Sequence, residues 1–347
     1  MTDIRKIKQK EFTEKIIENN YSHIYIIAPR VGKTKIMIDS LIGKEHKNIA
    51  ITVPRETIIT SWKKELVKWK SPLNPTFICN NSLSKLDSSV DLLIVDECQT
   101  LSPKQIETIK LSGIKRLLFI TGTLNKEKQE LYLREFRLKV VVNYPIDDAI
   151  EDGIIADYEI NIVKAKLTYE ERKQYDALTK IFTTYSESAK SDRRFVHART
   201  VAARKRMFFI YNMESKVKAV KEFIKTLDER YILFSANTKV SEELSNNRYD
   251  SKVKNKNLDK FISKEIDDLG VIRMVDMGVT IPDLKMGIIH QIQSNEEIFL
   301  QRALRCCNLD KGKIARIYIF VCENTVDENW LASCLKDVDV KRIKYLN

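Results

Sequence analysis

Histidine and cysteine are scarce in this chain, and neither is arranged as a metal site. The 347 residues include four histidines and six cysteines, and the closest cysteine pair, Cys306 and Cys307, is adjacent. Zinc sites and disulfide frameworks need spaced ligands, such as two cysteines separated by two residues. We therefore expect no protein-held zinc and no disulfides, which is typical of a protein of the reducing cytoplasm.

Long apolar runs are also missing. Residues 92–95 and 317–321 form runs far shorter than the roughly 20 residues that a membrane-spanning helix needs. Residues 1–6 are polar and charged, so we expect neither a signal peptide nor a membrane partner. A hydrophobic content of 43% with 31% charged residues is typical of a soluble globular protein, and 347 residues favour two domains.

Acidic residues are too few to balance the basic ones. The net charge is +12, and a surplus of lysine and arginine attracts phosphate backbones or anionic membranes. A second interpretation stays open. An AT-rich genome enriches lysine codons, and the low counts of glycine (9) and proline (7) fit that origin as well.

Short apolar runs alternate with longer amphipathic stretches in both halves of the chain. This alternation predicts an α/β fold with mainly parallel sheets, and it occurs twice. We predict strands at residues 24–28, 49–53, 92–96, 117–121, 231–234, 271–275, 287–292 and 316–321. The predicted domains are residues 1–160 and 213–347, joined by a helical, basic connection at residues 161–212.

Several local signals refine this prediction. Thr168 with Glu171, and Thr325 with Glu328, have the spacing of capping boxes that begin helices. In a helix predicted near residues 60–70, Trp62 and Trp69 lie on one stripe, which favours a place in the core for both. His290 ends a predicted strand, and we interpret it as structural.

The loop after the first predicted strand carries Gly32, Lys33 and Thr34 before a predicted helix. A nucleotide site needs backbone N–H groups around the phosphates, a lysine for the β- and γ-phosphates and a hydroxyl for Mg²⁺. Pro29, Arg30 and Val31 supply the preceding loop backbone. The earlier glycine of the full phosphate-loop pattern is absent, since Ile27 stands there. The strand–loop–helix setting nevertheless predicts binding of ATP.

Asp96 and Glu97 follow each other at the end of a predicted buried strand. Two adjacent carboxylates are costly to bury without a cation. Asp96 is placed to hold Mg²⁺, partly through water, and Glu97 to orient or deprotonate the attacking water. A solvated acidic turn is the alternative. The phosphate-loop residues upstream favour the catalytic interpretation.

The first-domain motifs together resemble those of superfamily 2 helicases. They are residues 95–99, similar to the DExH/DEAD box; residues 121–123, similar to motif III; residues 52–55 and 62–66, similar to motif Ia; and Gln9, where the family carries an adenine-reading glutamine. In the second half, residues 232–235, 277–283 and 301–305 resemble motifs IV, V and VI. In its compactness the chain resembles helicases encoded by bacteriophages.

This resemblance implies two RecA-like domains with ATP and Mg²⁺ between them. It places Gly278 near the nucleotide, and Gln301, Arg302 and Arg305 at the γ-phosphate, with Arg305 as the main cation. The motif VI arginine of the family is Asn308 here, which predicts weaker transition-state stabilisation. Motif VI also departs from the family at Leu304, which stands where the family carries glycine.

Nucleic-acid contacts are predicted on two grounds. The resemblance implies contacts from Arg55 and Thr123 in the first domain. In the connection, Arg193, Arg194, Arg204 and Arg206 form a basic segment that can follow a phosphate backbone. A solvated helix face is the alternative interpretation of that segment.

The leading hypothesis is an ATP-dependent DNA helicase or translocase in the cytoplasm, or the host cytoplasm if phage-encoded. We expect a monomer that meets replication or recombination proteins. A double-strand translocase or a branch-migration and annealing motor would share every motif. A nucleic-acid-binding protein with a weakened ATPase site is a further alternative. A phosphate-loop kinase or a GTPase-like switch is disfavoured by the second α/β domain, since those enzymes complete their site within one domain.

Overall fold

The computed structural model describes residues 3–43, 48–87, 89–235, 237–249, 256–272, 281, 283–292, 313–336 and 338–346. The chain divides into two compact units, the first formed by Met1–Ile155 and the second beginning at Ala156. The strand that contains residue 160 belongs to the second unit.

The first unit contains a six-stranded sheet in which all described strands are parallel, in the order β3-β2-β4-β5-β1-β6. The strands are β1 His23–Ile27, β2 Ile49–Val53, β3 Thr76–Cys79, β4 Leu92–Asp96, β5 Arg116–Thr121 and β6 Val140–Tyr144. The helices are α1 Ile4–Glu18, α2 Lys33–Leu41, α3 Glu56–Lys68, α4 Pro103–Leu111, α5 Lys126–Phe136 and α6 Ile146–Glu151. Short 3-10 turns span Asn80–Lys85 and Cys98–Thr100.

The second unit contains a seven-stranded parallel sheet in the order β13-β7-β12-β11-β8-β10-β9. The strands are β7 Asp157–Ala165, β8 Tyr231–Ser235, β9 Arg248–Tyr249, β10 Asp268–Ile272, β11 Met286–Ile289, β12 Ile314–Cys322 and β13 Ile343–Leu346. The helices are α7 Tyr169–Ser191, α8 Phe195–Tyr211, α9 Glu214–Ile224, α10 Thr238–Leu244, α11 Lys256–Ile262 and α12 Val326–Cys334. A 3-10 turn spans Val340–Arg342.

The central strands form where the sequence is continuously apolar. Every residue of β4 is buried, because helices cover both faces of a parallel sheet. The eight strands predicted from the sequence correspond to β1, β2, β4, β5, β8, β10, β11 and β12, although residues 273–275 of the predicted sixth strand lie outside the described residues. The predicted α/β fold with two mainly parallel sheets is confirmed.

Five strands were missed, and β7 is the most informative of them. Asp157 and Glu159 make its sequence look polar, but both carboxylates are paired in the folded chain. Arg342 bonds Asp157 at 2.9 Å and Lys344 bonds Glu159 at 2.5 Å, both from the neighbourhood of β13. These partners lie 185 residues further along the sequence, so no local pattern predicts them.

Of the two predicted capping boxes, the first is confirmed fully and the second in part. Thr168 and Glu171 form the capping box that begins α7. Thr325 caps α12, but its hydroxyl accepts from the Asp327 N–H, and Glu328 instead accepts from the Asn324 N–H at 3.2 Å.

Candidate active site in the first unit

The phosphate-loop segment connects β1 to α2 through a left-handed backbone. Gly32 caps α2 with φ of 105°, and Arg30 also has a positive φ of 68°. A Cβ on Gly32 would lie 2.5 Å from Gln9 Nε2, so this position requires glycine. Gln9 Nε2 donates to the Val31 carbonyl at 2.7 Å. The side-chain amide of Gln9, on α1, therefore holds the loop that precedes α2.

Lys33, the first residue of α2, lies beside the turn that follows β5. A Cβ added to Gly122 would stand 3.5 Å from Lys33 Nζ and 3.4 Å from the Pro29 ring. Gly122 therefore lies within van der Waals range of both the lysine and the proline. The lysine and the N–H groups of the first helical turn, which lack intrahelical partners, thus lie at one edge of the sheet.

Asp96 ends β4 at the same edge and is almost fully buried, at 8% exposure. Burial raises the pKa of its carboxyl to about 6, and the neighbouring Glu97 charge adds to the rise. Three interactions oppose the rise: the Trp62 indole N–H donates to Asp96 Oδ2 at 2.8 Å, the positive charge of Lys33 acts through space, and the Glu97 backbone hydrogen-bonds the carboxylate. A bound cation would stabilise the ionised form of this buried carboxyl.

Glu97 is held in a left-handed conformation, with φ of 53°. Gln99 Nε2 donates to Glu97 Oε2 at 2.7 Å. The Thr121 hydroxyl lies 2.5 Å from Gln99 Oε1 and 2.7 Å from the Thr123 carbonyl, while the Thr123 N–H donates back to it at 3.2 Å. The carboxylate after β4 is therefore linked through Gln99 to the turn after β5.

Two side chains of helix α5 hydrogen-bond the backbone of the turn at Cys98 and Gln99. The Tyr132 hydroxyl donates to the Cys98 carbonyl at 2.6 Å, and Lys128 Nζ donates to the Gln99 carbonyl. Tyr132 packs edge-on against Phe119 of β5, with ring centroids 5.0 Å apart. A polar turn is thus anchored in the apolar core, which limits its motion.

The residues at this edge fit a Mg²⁺–nucleotide complex. Mg²⁺ is commonly held by one or two protein oxygens together with substrate phosphates. Asp96, with its raised pKa and a nearby lysine, and Thr34 in the first turn of α2 offer the oxygen ligands of that chemistry. When bound, the ion would neutralise charge on the phosphates.

The predicted nucleic-acid residues of the first unit lie at the same sheet edge. Arg55 follows β2, is exposed and caps α3, and Thr123 follows β5. The carboxyl ends of parallel strands carry the ligand sites of open α/β sheets.

Four predicted catalytic or nucleotide residues, Gly278, Gln301, Arg302 and Arg305, lie outside the described residues, as do Leu304 and Asn308. Two features of the described site escaped the sequence analysis. The bond from Trp62 to Asp96 was missed because the tryptophan fits a core position, and it is indeed 2% exposed. The hydrogen bond between Gln99 and Thr121 was missed because it joins the turn after β4 to the end of β5. No sequence motif predicts that these two strands are neighbours.

The core prediction for Trp69 was wrong. Its side chain is 41% exposed, and its indole N–H donates to Glu65 at 2.7 Å. Lys35 and Lys68 stand over the ring, 4.5 and 4.9 Å from its centroid. The residue lies just past the end of α3, where the helical stripe that contains Trp62 no longer faces the sheet.

Comparisons with known proteins bear on the fold of the chain. The DNA 3'-5' translocase XPB2 of Sulfurisphaera tokodaii is 23% identical over 349 residues, covering 88% of this chain and 78% of the relative. A DEAD box protein of Methanococcus jannaschii superposes with a TM-score of 0.51 at 13% identity, covering 98% and 92% of the two chains. Dbp5 of S. cerevisiae, bound to RNA and ADP BeF3, superposes with a TM-score of 0.60 at 12% identity, covering 97% and 88%. The chain therefore shares the fold of these solved structures, with two RecA-like α/β domains.

A larger enzyme contains the same fold as one part. The ATP-dependent Type ISP restriction-modification enzyme LlaBIII, bound to DNA, has a TM-score of 0.64 at 13% identity over all of this chain. The chain spans only 31% of that enzyme's length. No protein-family model matches the sequence. No helix among the described residues is both long and apolar enough to cross a membrane.

Proposed function

We propose that this helicase-like chain is a nucleic-acid-dependent ATP hydrolase that acts on DNA as a helicase or translocase. The observation that carries the proposal is the arrangement at the carboxyl edge of the first sheet. Lys33 begins α2 beside Gly122, and the buried carboxyl of Asp96 lies within the field of that lysine. A cation, a metal-ligating carboxylate and a second carboxylate, Glu97, are the parts that phosphoryl transfer to water requires.

Each residue takes one role in this reaction. Lys33 binds the β- and γ-phosphates, Thr34 and Asp96 hold Mg²⁺, and Glu97 orients the attacking water. Gln9 keeps the loop in shape through the Val31 carbonyl. From the sequence resemblance, Arg305, supported by Arg302, supplies the positive charge that stabilises the transition state, Gln301 offers a neutral amide at the γ-phosphate, and Gly278 approaches the nucleotide.

Nucleic acid acts on this site through the turn after β5. Thr123 is the proposed backbone contact there, and its main chain is bonded to the Thr121 hydroxyl that also meets Gln99. A shift at Thr123 would reach Glu97 through three successive hydrogen-bonded links, by way of Thr121 and Gln99. This linkage supports stimulation of hydrolysis by nucleic acid.

DNA is favoured over RNA as the substrate on two observations. The sequence relative is named a DNA translocase, and the restriction enzyme was captured on DNA, whereas Dbp5 was captured on RNA. The net charge of +12 suits either polymer.

Steady-state ATP hydrolysis, measured alone and with single-stranded DNA, duplex DNA, forked DNA and RNA, tests the proposal. We expect stimulation by DNA, abolished in Glu97→Gln, and strand separation or displacement of a bound obstacle that requires ATP. DNA binding with no hydrolysis above that of Glu97→Gln would support the alternative of a binding protein with a weakened ATPase site. Stimulation by RNA alone would overturn the choice of substrate.

A further inference from the structure

The helices α7 and α8 form a hairpin that is anchored to the second unit at one end only. Tyr175, Ile210 and Tyr211 are buried at that base, in a cluster with Met213 and Cys322. Beyond the base, Ala202 is the one buried residue among those of α7 and α8. The far half of the hairpin therefore packs on itself and presents its outer surfaces to solvent.

One face of α8 is both exposed and regularly patterned. His197, Val201, Arg204 and Phe208 recur at intervals of four, three and four residues, which places them on one side of a helix. Arg193 continues the row one turn earlier, because the Val196 N–H already donates to its carbonyl at 3.1 Å. We call these five residues the outer stripe. Val201 and Phe208 remain 37% and 43% exposed within it.

The structure separates the basic residues of this segment into two groups. Arg194 forms an ion pair with Asp192 at 2.7 Å, and Arg206 stacks on the Phe182 ring at 4.2 Å, facing α7. Arg193 and Arg204 of the outer stripe have no ion-pair partner within the described part of the chain. Since α8 contains no aspartate or glutamate, the stripe carries an unneutralised positive charge.

We propose that the outer stripe, through Arg193 and Arg204, binds the phosphate backbone of duplex DNA. The inference rests on the proposed function only in that the chain works on DNA. Arg193 and Arg204 are eleven positions apart in the sequence. This corresponds to about 16 Å when the helical rise is extended from α8 to the turn that precedes it. Duplex DNA presents phosphates on both sides of a groove roughly 12 Å wide, a spacing that two long side chains can bridge. A flexible single strand offers no such fixed pair.

The contact is independent of base sequence. Guanidinium groups on phosphates position a protein without reading bases. Val201 and Phe208 lie between and beside the arginines, where they can cover sugar surface. Arg194 and Arg206 are engaged within the hairpin, so we assign them no share in this contact.

The test compares two double variants of equal charge. Arg193→Gln with Arg204→Gln removes the stripe cations, while Lys190→Gln with Arg194→Gln removes two cations of the same hairpin that are ion-paired with Glu187 and Asp192. Binding of a labelled duplex is measured by fluorescence anisotropy over a range of salt concentrations without nucleotide. The stripe variant should lower the slope of log K against log salt by about 0.9 per lost contact, roughly 2 in all. The control variant should keep the wild-type slope.

Further arms separate the competing outcomes. Replacing both stripe arginines by lysine should restore most of the duplex slope, whereas a folding defect would not be rescued. Equal losses in the stripe and control variants, or an unchanged slope in the stripe variant, would overturn the proposal. So would a loss confined to single-stranded DNA, or to vesicles containing phosphatidylserine.

DNA-stimulated ATP hydrolysis distinguishes the two failures. A wild-type protein that binds duplex DNA through the stripe but shows no DNA-stimulated hydrolysis contradicts the proposed function and leaves the stripe standing. Normal stimulation in a wild-type protein whose stripe variant keeps full duplex affinity contradicts the stripe alone.

Discussion

The indole N–H of Trp62 donates to Asp96 Oδ2 at 2.8 Å, and both side chains are nearly excluded from solvent. A hydrogen bond to a carboxylate in such a place fixes which oxygen faces the nucleotide edge of the sheet. The bond also opposes the rise in pKa that burial imposes on Asp96. Trp62, whose sequence position fits an ordinary core residue, thus influences the orientation and the pKa of Asp96, the proposed metal ligand.

Trp62→Phe should therefore impair Mg²⁺ use more than folding. Phenylalanine keeps the contact with Phe77, whose ring centroid lies 6.4 Å away, but loses the donor. Hydrogen bonds to charged groups contribute about 1.5–3 kcal/mol, so we expect the Mg²⁺ concentration for half-maximal hydrolysis to rise about tenfold or more. Trp69→Phe is the matched control, since the Trp69 indole N–H donates to Glu65 and not to a residue of the candidate site. Equal Mg²⁺ requirements in the two variants would contradict this assignment.

Lys33→Ala should abolish ATP turnover, because it removes the ammonium group that lies at the phosphate edge beside Gly122. A loss of about 100-fold or more in kcat is expected from removing one such electrostatic partner. Lys35→Ala provides the control, as Lys35 lies half a turn further along α2 and pairs with Asp39. Nucleotide binding by calorimetry completes the measurement. Glu97→Gln should bind ATP normally and fail to hydrolyse it, and wild-type turnover in either site variant would refute the assignment.

Thr121→Val should uncouple hydrolysis from nucleic acid. The substitution keeps the buried volume but removes the hydroxyl between Gln99 and Thr123. An unpaired buried amide costs about 1–3 kcal/mol, so stability should fall by that amount. Stimulation of hydrolysis by DNA should drop several-fold, while the basal rate changes less. Thr121→Ser retains the hydroxyl and should recover the stimulation; if serine behaves like valine, the hydroxyl is not the coupling element.

His290 should make the second unit sensitive to acid. The imidazole is fully buried just beyond β11, and neither ring nitrogen has a partner in the described part of the chain. Burial first, and the nearby Lys216 charge second, hold its pKa well below the ordinary value. The unfolded chain therefore binds a proton near pH 6.5 that the folded chain does not. Stability is complete above that pH and falls as the pH drops below it.

Urea unfolding at pH 7.5, 6.5 and 5.5 measures this effect. The contribution of His290 should approach about 1.4 kcal/mol per pH unit below pH 6.5. His290→Gln should remove that part of the slope, and His197→Gln, on the exposed face of α8, should leave the slope unchanged. Identical slopes in wild type and His290→Gln would show that the imidazole is charged or hydrated in the folded state.

Local sequence was sufficient for the elements that do not depend on distant partners. Strands β1, β2, β4 and β5 are mostly apolar because they are covered on both faces, and that pattern is visible in a short window of sequence. Likewise, the Thr168–Glu171 capping box is a contact between residues three apart. Strand β7 was not predictable in this way, since Lys344 and Arg342 neutralise its carboxylates from near the other end of the chain.

The same division holds for the candidate site. By itself the sequence predicted the candidate site residues, because Gly32, Lys33, Asp96 and Glu97 lie at or after the ends of strands, and parallel strands bring their ends to one edge. Only the tertiary structure decided that Trp62 meets Asp96, that Gln99 joins Glu97 to Thr121, and that Arg193 and Arg204 face outward while Arg206 stacks on Phe182. The physical reason is that these are contacts between side chains on different elements. Their geometry follows from how helices and strands pack, which no single segment encodes.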